Sequence, residues 1–516
     1  MRLINHSLRF WNHHPALFYG VSSLLGFYCA FYDIQYLLFP LALFFTPYLF
    51  VLRQKTYIKP LIMSLLILFS SLLYGKAHHH PFALPTEGVV GEAYMEIESV
   101  SEQSTYFGKN WMYRCHLRNF YPSDPSFSMM RNIKCTISLP QRSNLIRPLA
   151  NQAYLIKGQL EQSKHARYYF KIDKKEEWLG VQGSWSLAEL RYGLKQQVMT
   201  LFKEFFRDST SAIFLSGLMT GEFDDRIMQS EFARFGLQHI MAISGFHFSV
   251  IAGILSLILR IIVPRYMRTP CVLIALTAYF LFLGNSASIL RSWIMIVIAL
   301  TGEYFGKNGS ALNSLGVALL VILLIDPLLS QTVGFQFSFL ATAAILLCFS
   351  PINFFLESIF PKRPLSQMKD MNKLNQHGYC LLAFFRQGLA LALAINIFVA
   401  PISLYYFHQF SYMSLFYNFF FPLFVSLSLF LLLIGLIFSC VFFPLGQVFH
   451  SINNVYTQWI LNLIYNLPHS VDVYYEAEEV SLWFVVVYVC LTFMIGIHMR
   501  SQLSEKRIEN QDLAYI

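Results

Sequence analysis

Charge is what this sequence has least of. Of its 516 residues, 13% are charged and 55% are hydrophobic, where a soluble domain carries about 25% charged residues. Residues 387–471 contain no Asp, Glu, Lys or Arg. A soluble globular fold is excluded, and long apolar runs specify a polytopic α-helical membrane protein. Cysteine is also sparse. Six of the eight, Cys29, Cys271, Cys348, Cys380, Cys440 and Cys490, lie in or beside apolar runs, and no C-x-x-C occurs. That excludes a disulfide scaffold and a zinc cluster. Nucleotide chemistry has no seat either. Gly302-Glu303-Tyr304-Phe305-Gly306-Lys307-Asn308 has one residue too few between its glycines for a P-loop, and Asn where Ser or Thr belongs. There is no Gly-x-Ser-x-Gly and no His-x-His-x-Asp-His. No catalytic group, cofactor or metal is expected.

What is present divides in order. Arg2 and Arg9 precede an apolar run from Pro15 with no small-x-small cleavage site, so it reads as an anchor. Segments 15–31, 34–52 and 58–75 make an N-terminal membrane unit, 1–76. Arg53, Lys55 and Lys59 lie on the same cytoplasmic side as the first cations. The chain then emerges at His78-His79-His80-Pro81, a solvated exit loop or a metal-binding tract. From 239 to 500 a second membrane unit carries segments near 240–262, 270–284, 288–305, 311–325, 332–350, 380–406, 412–442 and 481–499. Its cationic clusters fall on one face if the intervening domain is outside. Pro422, Pro444 and Asn453-Asn454 allow broken or re-entrant helices in 412–467, so ten to twelve spans are expected in all. Residues 501–516 read as a polar cytoplasmic tail.

Residues 88–181 have a different pattern. Five runs rich in β-branched and aromatic residues, separated by turns such as Pro122-Ser123-Asp124-Pro125, predict five strands. A small OB-like barrel is the expected fold. It has 13 Lys and Arg against 9 Asp and Glu, a net of +4. Lying outside, it owes none of that to the positive-inside rule. Lys109, Trp111 and Arg114, and Arg167, Tyr169 and Lys171, interleave rings with cations, as single-strand binders do. Strand alternation puts about half of any such rings in a core instead. Residues 187–238 follow as amphipathic helices, with Leu187, Leu190, Leu194, Val198, Leu201 and Phe205 on one face of the first. That helix lies on the membrane surface or packs on the bundle.

Polar residues inside the membrane segments are few: Ser244, His247, Asn285, Ser286, Ser288, Arg291, Asn313, Gln336, Ser338 and Asn396, with Asp326-Pro327 marking a helix end at the membrane surface. A charge inside lipid needs a partner or water. For Arg291, Asp326 or a passing phosphate would serve.

These residues resemble a known family. His239-Ile-Met-Ala-Ile-Ser244-Gly245-Phe246-His247 is similar to the H-L-L-A-I-S-G-L-H signature of the ComEC family of DNA-internalisation competence proteins. Ser286 to Arg291 resembles its S-P-S-V-L-R, Asn313-Ser314-Leu315 its N-A-L, Asp326-Pro327 its D-P, and Gly334 to Phe339 its G-F-Q-L-S-F. Phe246 and Phe337 stand where the family has leucine. The resemblance implies a channel, not an enzyme. It implies passage of single-stranded DNA across the bacterial inner (plasma) membrane in natural transformation, along a path lined by Ser244, His247, Ser288, Arg291, Asp326, Gln336 and Ser338. It also implies an extracytoplasmic DNA receptor, membrane lipid, a cytoplasmic motor or single-strand-binding protein, and a possible homo-oligomer. Many members carry a C-terminal β-lactamase-like domain. This chain stops at Ile516 without one, so no nuclease role is expected. A small-solute transporter with a regulatory outer domain, or a scaffold without a pore, are the rival readings, and DNA binding by 88–181 separates them from the first.

Cys115 and Cys135 are the two cysteines outside apolar runs, in a domain expected in an oxidising compartment. A bridge between them closes a loop of about 20 residues, for roughly 3 kcal/mol. Alkylation of unfolded, unreduced protein should label neither; labelling at both would show that no bridge forms.

Overall fold

The computed structural model describes residues 2–50, 55–78, 84–85, 87–105, 108–141, 147–162, 168–172, 178–183, 185–241, 243, 245–307, 309–468 and 473–514. Four helices open the chain: α1 (Arg2–His13), α2 (Pro15–Phe31), α3 (Leu38–Leu49) and α4 (Lys55–His78). A sheet unit follows, with β1 (Val89–Thr105), β2 (Gly108–Pro122), β3 (Met130–Pro140), β4 (Gln152–Gln162), β5 (Tyr168–Ile172) and β6 (Leu179–Gly183). Next come α5 (Leu187–Phe205), α6 (Ser209–Thr220), α7 (Arg226–Arg234) and α8 (Gln238–Met241). The remaining helices are α9 (Gly245–Ile262), α10 (Arg265–Leu283), α11 (Ala287–Tyr304), α12 (Ala311–Ile325), α13 (Val333–Ile359), α14 (Leu365–Lys369), α15 (Lys373–Phe407), α16 (Met413–Val441), α17 (Phe443–Tyr465) and α18 (Leu482–Ala514). A ribbon of β7 (Gln409–Ser411) and β8 (Tyr474–Glu476) joins the ends of this last set.

Eight helices among the described residues are long and apolar enough to cross a membrane: the 57–77 part of α4, then α9, α10, α11, α13, α15, α16 and the 482–504 part of α18. The protein is a multi-pass membrane protein. Helices α2, α3 and α12 are apolar but shorter. The expected span 34–52 begins in a short 3-10 turn at Ile34–Tyr36, so only 12 residues of it form α3. In 412–467 no re-entrant break occurs. Pro422 lies inside an unbroken α16, and the chain turns at Phe442, where Pro444 sits in the first turn of α17 and costs no hydrogen bond. The expected tail continues α18 as helix to Ala514.

The sheet has six strands rather than five; β6, short and holding Gly180 and Gly183, gives little strand signal. Antiparallel ladders join β1 to β2, β2 to β3, β4 to β5 and β4 to β6. β3 runs parallel to β5, and β4 also pairs with β1. Alternation along β2 turns Tyr113, Cys115 and Leu117 inward, with Ile137 of β3, Leu160 of β4 and Phe170 of β5. Cys115 and Cys135 stand opposite each other in the β2–β3 register, both buried and both free thiols. Opposed antiparallel residues lie within the Cα separation a disulfide spans.

Lipid tails are as apolar as leucine, so the helices hold together by close approach and polar contacts. Gly20 of α2 lies against Gly316 of α12; a Cβ at Gly316 would fall 2.2 Å from the backbone nitrogen of Leu17. Ser22 meets Ser64 at 2.6 Å and Ser23 meets Ser71 at 2.9 Å, zipping α2 to α4. Between α16 and α17, Asn453 Nδ2 donates to the Ser428 carbonyl (3.1 Å), and Ser428 Oγ donates to Asn453 Oδ1 (3.0 Å). Helix α5 packs on the sheet core through Ala188 and on the helical core through Phe202, Val198 and Phe205, and leaves Leu190, Leu194 and Leu201 of the expected apolar face exposed.

Asn453 is fully buried, so Asn453→Ala removes both of its hydrogen bonds to Ser428, whose hydroxyl keeps Thr457 as a partner at 3.2 Å. A loss of about 1 kcal/mol is expected, within the range for hydrogen bonds between membrane helices. Thermal unfolding in detergent measures it, and an unchanged midpoint would show the pair contributes nothing.

Candidate functional site

Two polar stripes face each other inside the membrane unit. On α11, Ser288, Arg291, Ser292 and Met295 recur at helical spacing; on α13, Gly334, Ser338 and Thr342 do the same. The local sequence starts both helices cleanly. Ser286 caps α11 by accepting from the Ile289 amide, and Thr332 caps α13 by accepting from that of Phe335. Ser288 Oγ donates to the Gly334 carbonyl at 3.4 Å. One turn deeper, Arg291 is 7% exposed. Its Nε donates to Ser338 Oγ at 2.9 Å and its Nη1 to Thr342 Oγ1. Thr342 in turn donates to the Ser338 carbonyl at 2.9 Å. Helix α9 closes the third side. A Cβ on Gly245 would lie 3.0 Å from Ser292 Oγ and 3.3 Å from Arg291 Nη2, so a larger residue there would make both side chains shift by a few tenths of an ångström. His247 follows on α9, 1% exposed, with its ring edge-on to that of Phe246 at 6.0 Å.

The expected residues sort accordingly. Ser288, Arg291 and Ser338 form one cluster with Gly245, and Gln336 donates instead to the Ser330 carbonyl at 3.5 Å. Ser244 and Arg167 lie outside the described residues, as do His79, His80 and Pro81. Asp326 does not join Arg291. Its carboxylate accepts from the Leu328 amide at 3.2 Å, capping the turn Pro327–Gln331, and pairs with Lys134 of β3 at 2.6 Å. Thr342, four residues past Ser338 on the same face, was the member sequence reading missed; the i+4 spacing carried that signal.

Outside the membrane unit, the sheet offers one continuous outward face. Arg114 of β2 pairs in register with Thr136 of β3, and Thr136 with Tyr169 of β5. Paired residues point to one side, so Arg114, Thr136 and Tyr169 make a row. Beside it lies a cleft of about 640 Å³ lined by Thr136, Ser138, Glu161, Tyr169 and Lys171. Lys171 reaches Glu161 at 2.7 Å across the cleft. Trp111 and Lys109 depart from expectation, because both have inward parity on β2. Trp111 packs against the sheet core, and Lys109 pairs with Asp224 before α7.

Carboxylates from the helices hold the sheet unit. Asp224 also accepts from Ser104 Oγ at 2.8 Å. Glu189 of α5 takes both guanidinium nitrogens of Arg147 and the Ala150 amide at 2.8 Å. Lys195 of α5 bonds Glu222 at 2.7 Å and the Leu283 carbonyl at 3.2 Å, tying α5 to the end of α10. Burial pushes the Glu222 carboxyl up despite Lys195 beside it. Burial likewise pushes the Cys135 thiol up to about 12 and lowers the His116 imidazole. Among the described residues, no group of three His, Cys, Asp or Glu side chains is placed to hold a metal.

The profile of the family described as Competence protein matches residues 220–502, which include the whole α9–α11–α13 cluster and Asp326 but not the sheet. ComE operon protein 3 of Bacillus subtilis (strain 168) is 26% identical over 292 residues, 54% of this chain and 33% of that protein. The chain thus spans about a third of the length of the curated relative it matches. No solved structure matches it significantly.

The Lys134–Asp326 pair is the direct ionic link between β3 and the start of the α13 region, and it can be tested by exchange. Lys134→Asp should lower the unfolding midpoint slightly, by the equivalent of roughly 1 kcal/mol or less for a half-exposed pair. Adding Asp326→Lys should recover most of it. Failure of the double variant to recover would show that Asp326 acts through its cap alone.

Proposed function

The chain belongs to the competence protein family that its sequence resembles, and on that premise we propose that it carries single-stranded DNA across the bacterial inner membrane during natural transformation. The sheet unit stands on the outer side and receives the strand. The polar stripes of α11 and α13 line its way inward. No ATPase motif is present in the sequence, so the proposal includes a separate cytoplasmic motor or single-strand-binding protein, and an outer DNA receptor that delivers the strand. The OB-like reading of the sheet belongs to the same proposal; the return pairing of β4 to β1 and the parallel β3–β5 ladder support it.

One observation carries the reading. The outward residues of β3 run Ser138, Thr136, Lys134 at two-residue spacing. Thr136 lies in the row with Arg114 and Tyr169, and Lys134 ends on Asp326. Asp326 opens the turn that leads to Gly334, Ser288 and then Arg291 with Ser338. Cations, hydroxyls and a ring thus follow one another from the exposed sheet to the membrane interior. That sequence of groups suits a polyanion with stacking bases: rings take the bases and donors take the phosphates.

Replacing Arg114, Tyr169 and Lys171 together by Ala should reduce entry of labelled DNA into the cytoplasm by at least roughly 10-fold, since one stacked base alone is worth about 1–3 kcal/mol. Membrane abundance should not change. The purified full chain should bind a short single strand with an affinity that falls as salt rises. Normal DNA uptake in a strain deleted for this chain would overturn the function. Solute flux into liposomes without any DNA binding would favour a small-solute transporter instead.

A further inference from the structure

The membrane unit buries a second arginine, at the other end of α13. Arg386 of α15 is 4% exposed. Its Nη1 donates at 2.8 Å to the carbonyl of Phe360, the residue that ends α13. A cation there suits the electronegative end of a helix. That contact uses one nitrogen of three. Nε is buried without an acceptor, and among the described residues Nη2 has none either and no carboxylate pairs with the side chain. Glu357, one turn before Phe360, accepts instead from Asn353 Nδ2 at 3.0 Å. A buried donor left without an acceptor costs free energy, and more when it is charged. Nε and Nη2 form the edge with which a guanidinium takes two oxygens of one anion. Helix capping accounts for Nη1 and leaves that two-pronged edge without a role.

We propose that the Nε–Nη2 edge of Arg386 binds a phosphodiester of the DNA strand near the cytoplasmic end of its passage. The inference rests on the reading of DNA passage given above, and it adds a second phosphate contact outside the sequence motifs. Two observations favour a strand over a lipid headgroup. Arg386 lies on the buried face of α15 with Ala390 and Ala394, while Leu382, Phe385 and Leu389 take the exposed face. Ala394 packs in the same core as Leu290 of α11 and Ala343 of α13, the two helices that meet at Arg291. The spacing is the second observation. Thr342, a partner of Arg291, and Phe360 are 18 residues apart on α13, about 27 Å of helix. A bilayer's hydrocarbon core is roughly 30 Å thick. One buried guanidinium thus stands near each end of α13. Beyond Phe360 the chain exposes Lys362 and Arg363, then Lys369 and Lys373, with Asp370 among them. The positive-inside bias accounts for those surface cations; it does not account for a buried one.

The test uses the purified full chain in nanodiscs of neutral lipid, which leave both faces open. The reference chain carries Arg114→Ala, Tyr169→Ala and Lys171→Ala, so that the sheet unit contributes little. Heat unfolding is followed in chloride, in inorganic phosphate at matched ionic strength, and with a short oligothymidylate. The reference chain should show a saturable rise in midpoint with phosphate and with the oligonucleotide, since a ligand of the folded state stabilises it by mass action. Adding Arg386→Lys should keep a smaller rise, having the charge without the fork. Adding Arg386→Met should remove most of it. A guanidinium that only caps α13 predicts a lower midpoint for the Met variant in chloride and an unchanged rise. Equal rises in the reference chain and the Met variant, an undiminished rise with Lys, or no rise in the reference chain overturn the site. A rise in phosphatidylglycerol nanodiscs with none from the oligonucleotide makes the occupant a headgroup and overturns the strand. In cells, Arg386→Met alone should lower entry of labelled DNA by roughly 10-fold at unchanged membrane abundance, the loss of one charged hydrogen bond. Uptake that persists in a strain deleted for this chain overturns the passage reading instead, and the nanodisc measurement still decides the phosphate site.

Discussion

Among the described residues no carboxylate meets the buried Arg291 guanidinium, and this is the constraint around which α9, α11 and α13 are arranged. Placing a charge inside the apolar region is costly whatever surrounds it, and here the compensation comes from hydroxyls on a neighbouring helix. That fixes α11 against α13 in register, because Ser338 and Thr342 must both reach one planar guanidinium. It fixes α9 as well, because a side chain larger than hydrogen at 245 would press on Arg291 and Ser292. Ser288, Arg291 and Ser338, from two separate motifs, are therefore parts of one contact with Gly245, whereas Asp326 and Asn313 of the other motifs bond elsewhere.

The sheet unit is held by a different kind of force. Its links to the helices are ion pairs of unequal depth. Lys109 and Lys134 are half-exposed, and such pairs contribute about 0–1 kcal/mol each. Arg147 is more enclosed, grips Glu189 with two nitrogens, and lies over the Tyr192 ring at 4.3 Å.

Much of this was legible in the chain. Low charge and long apolar runs gave the membrane class, and strand alternation located the first five strands of the sheet. The polar residues of α11 and α13 announced themselves by being polar in the wrong place. What was not legible depends on distance in sequence. Asp326 and Lys134 are 192 residues apart, and nothing local distinguishes a capping aspartate from one that also holds another domain. Trp111 was assigned to a binding face on composition, whereas parity along β2 sends it inward with Tyr113 and Cys115. Leu190, Leu194 and Leu201 of α5 form the obvious apolar stripe, yet the helix buries Ala188, Lys195 and Phe202. Val198 and Phe205 of that stripe still pack against the core built by α6–α8, α16 and α17, and Lys195 ties the helix to Glu222 and the Leu283 carbonyl.

The crossing of α2 over α12 has a mechanical corollary. At Gly20 and Gly316 two backbones touch with no side chain between them, so neither helix can slide or roll without peptide groups colliding. The Ser22–Ser64 and Ser23–Ser71 contacts extend that stiffness to α4. The N-terminal helices and α12 thus behave as a single keel.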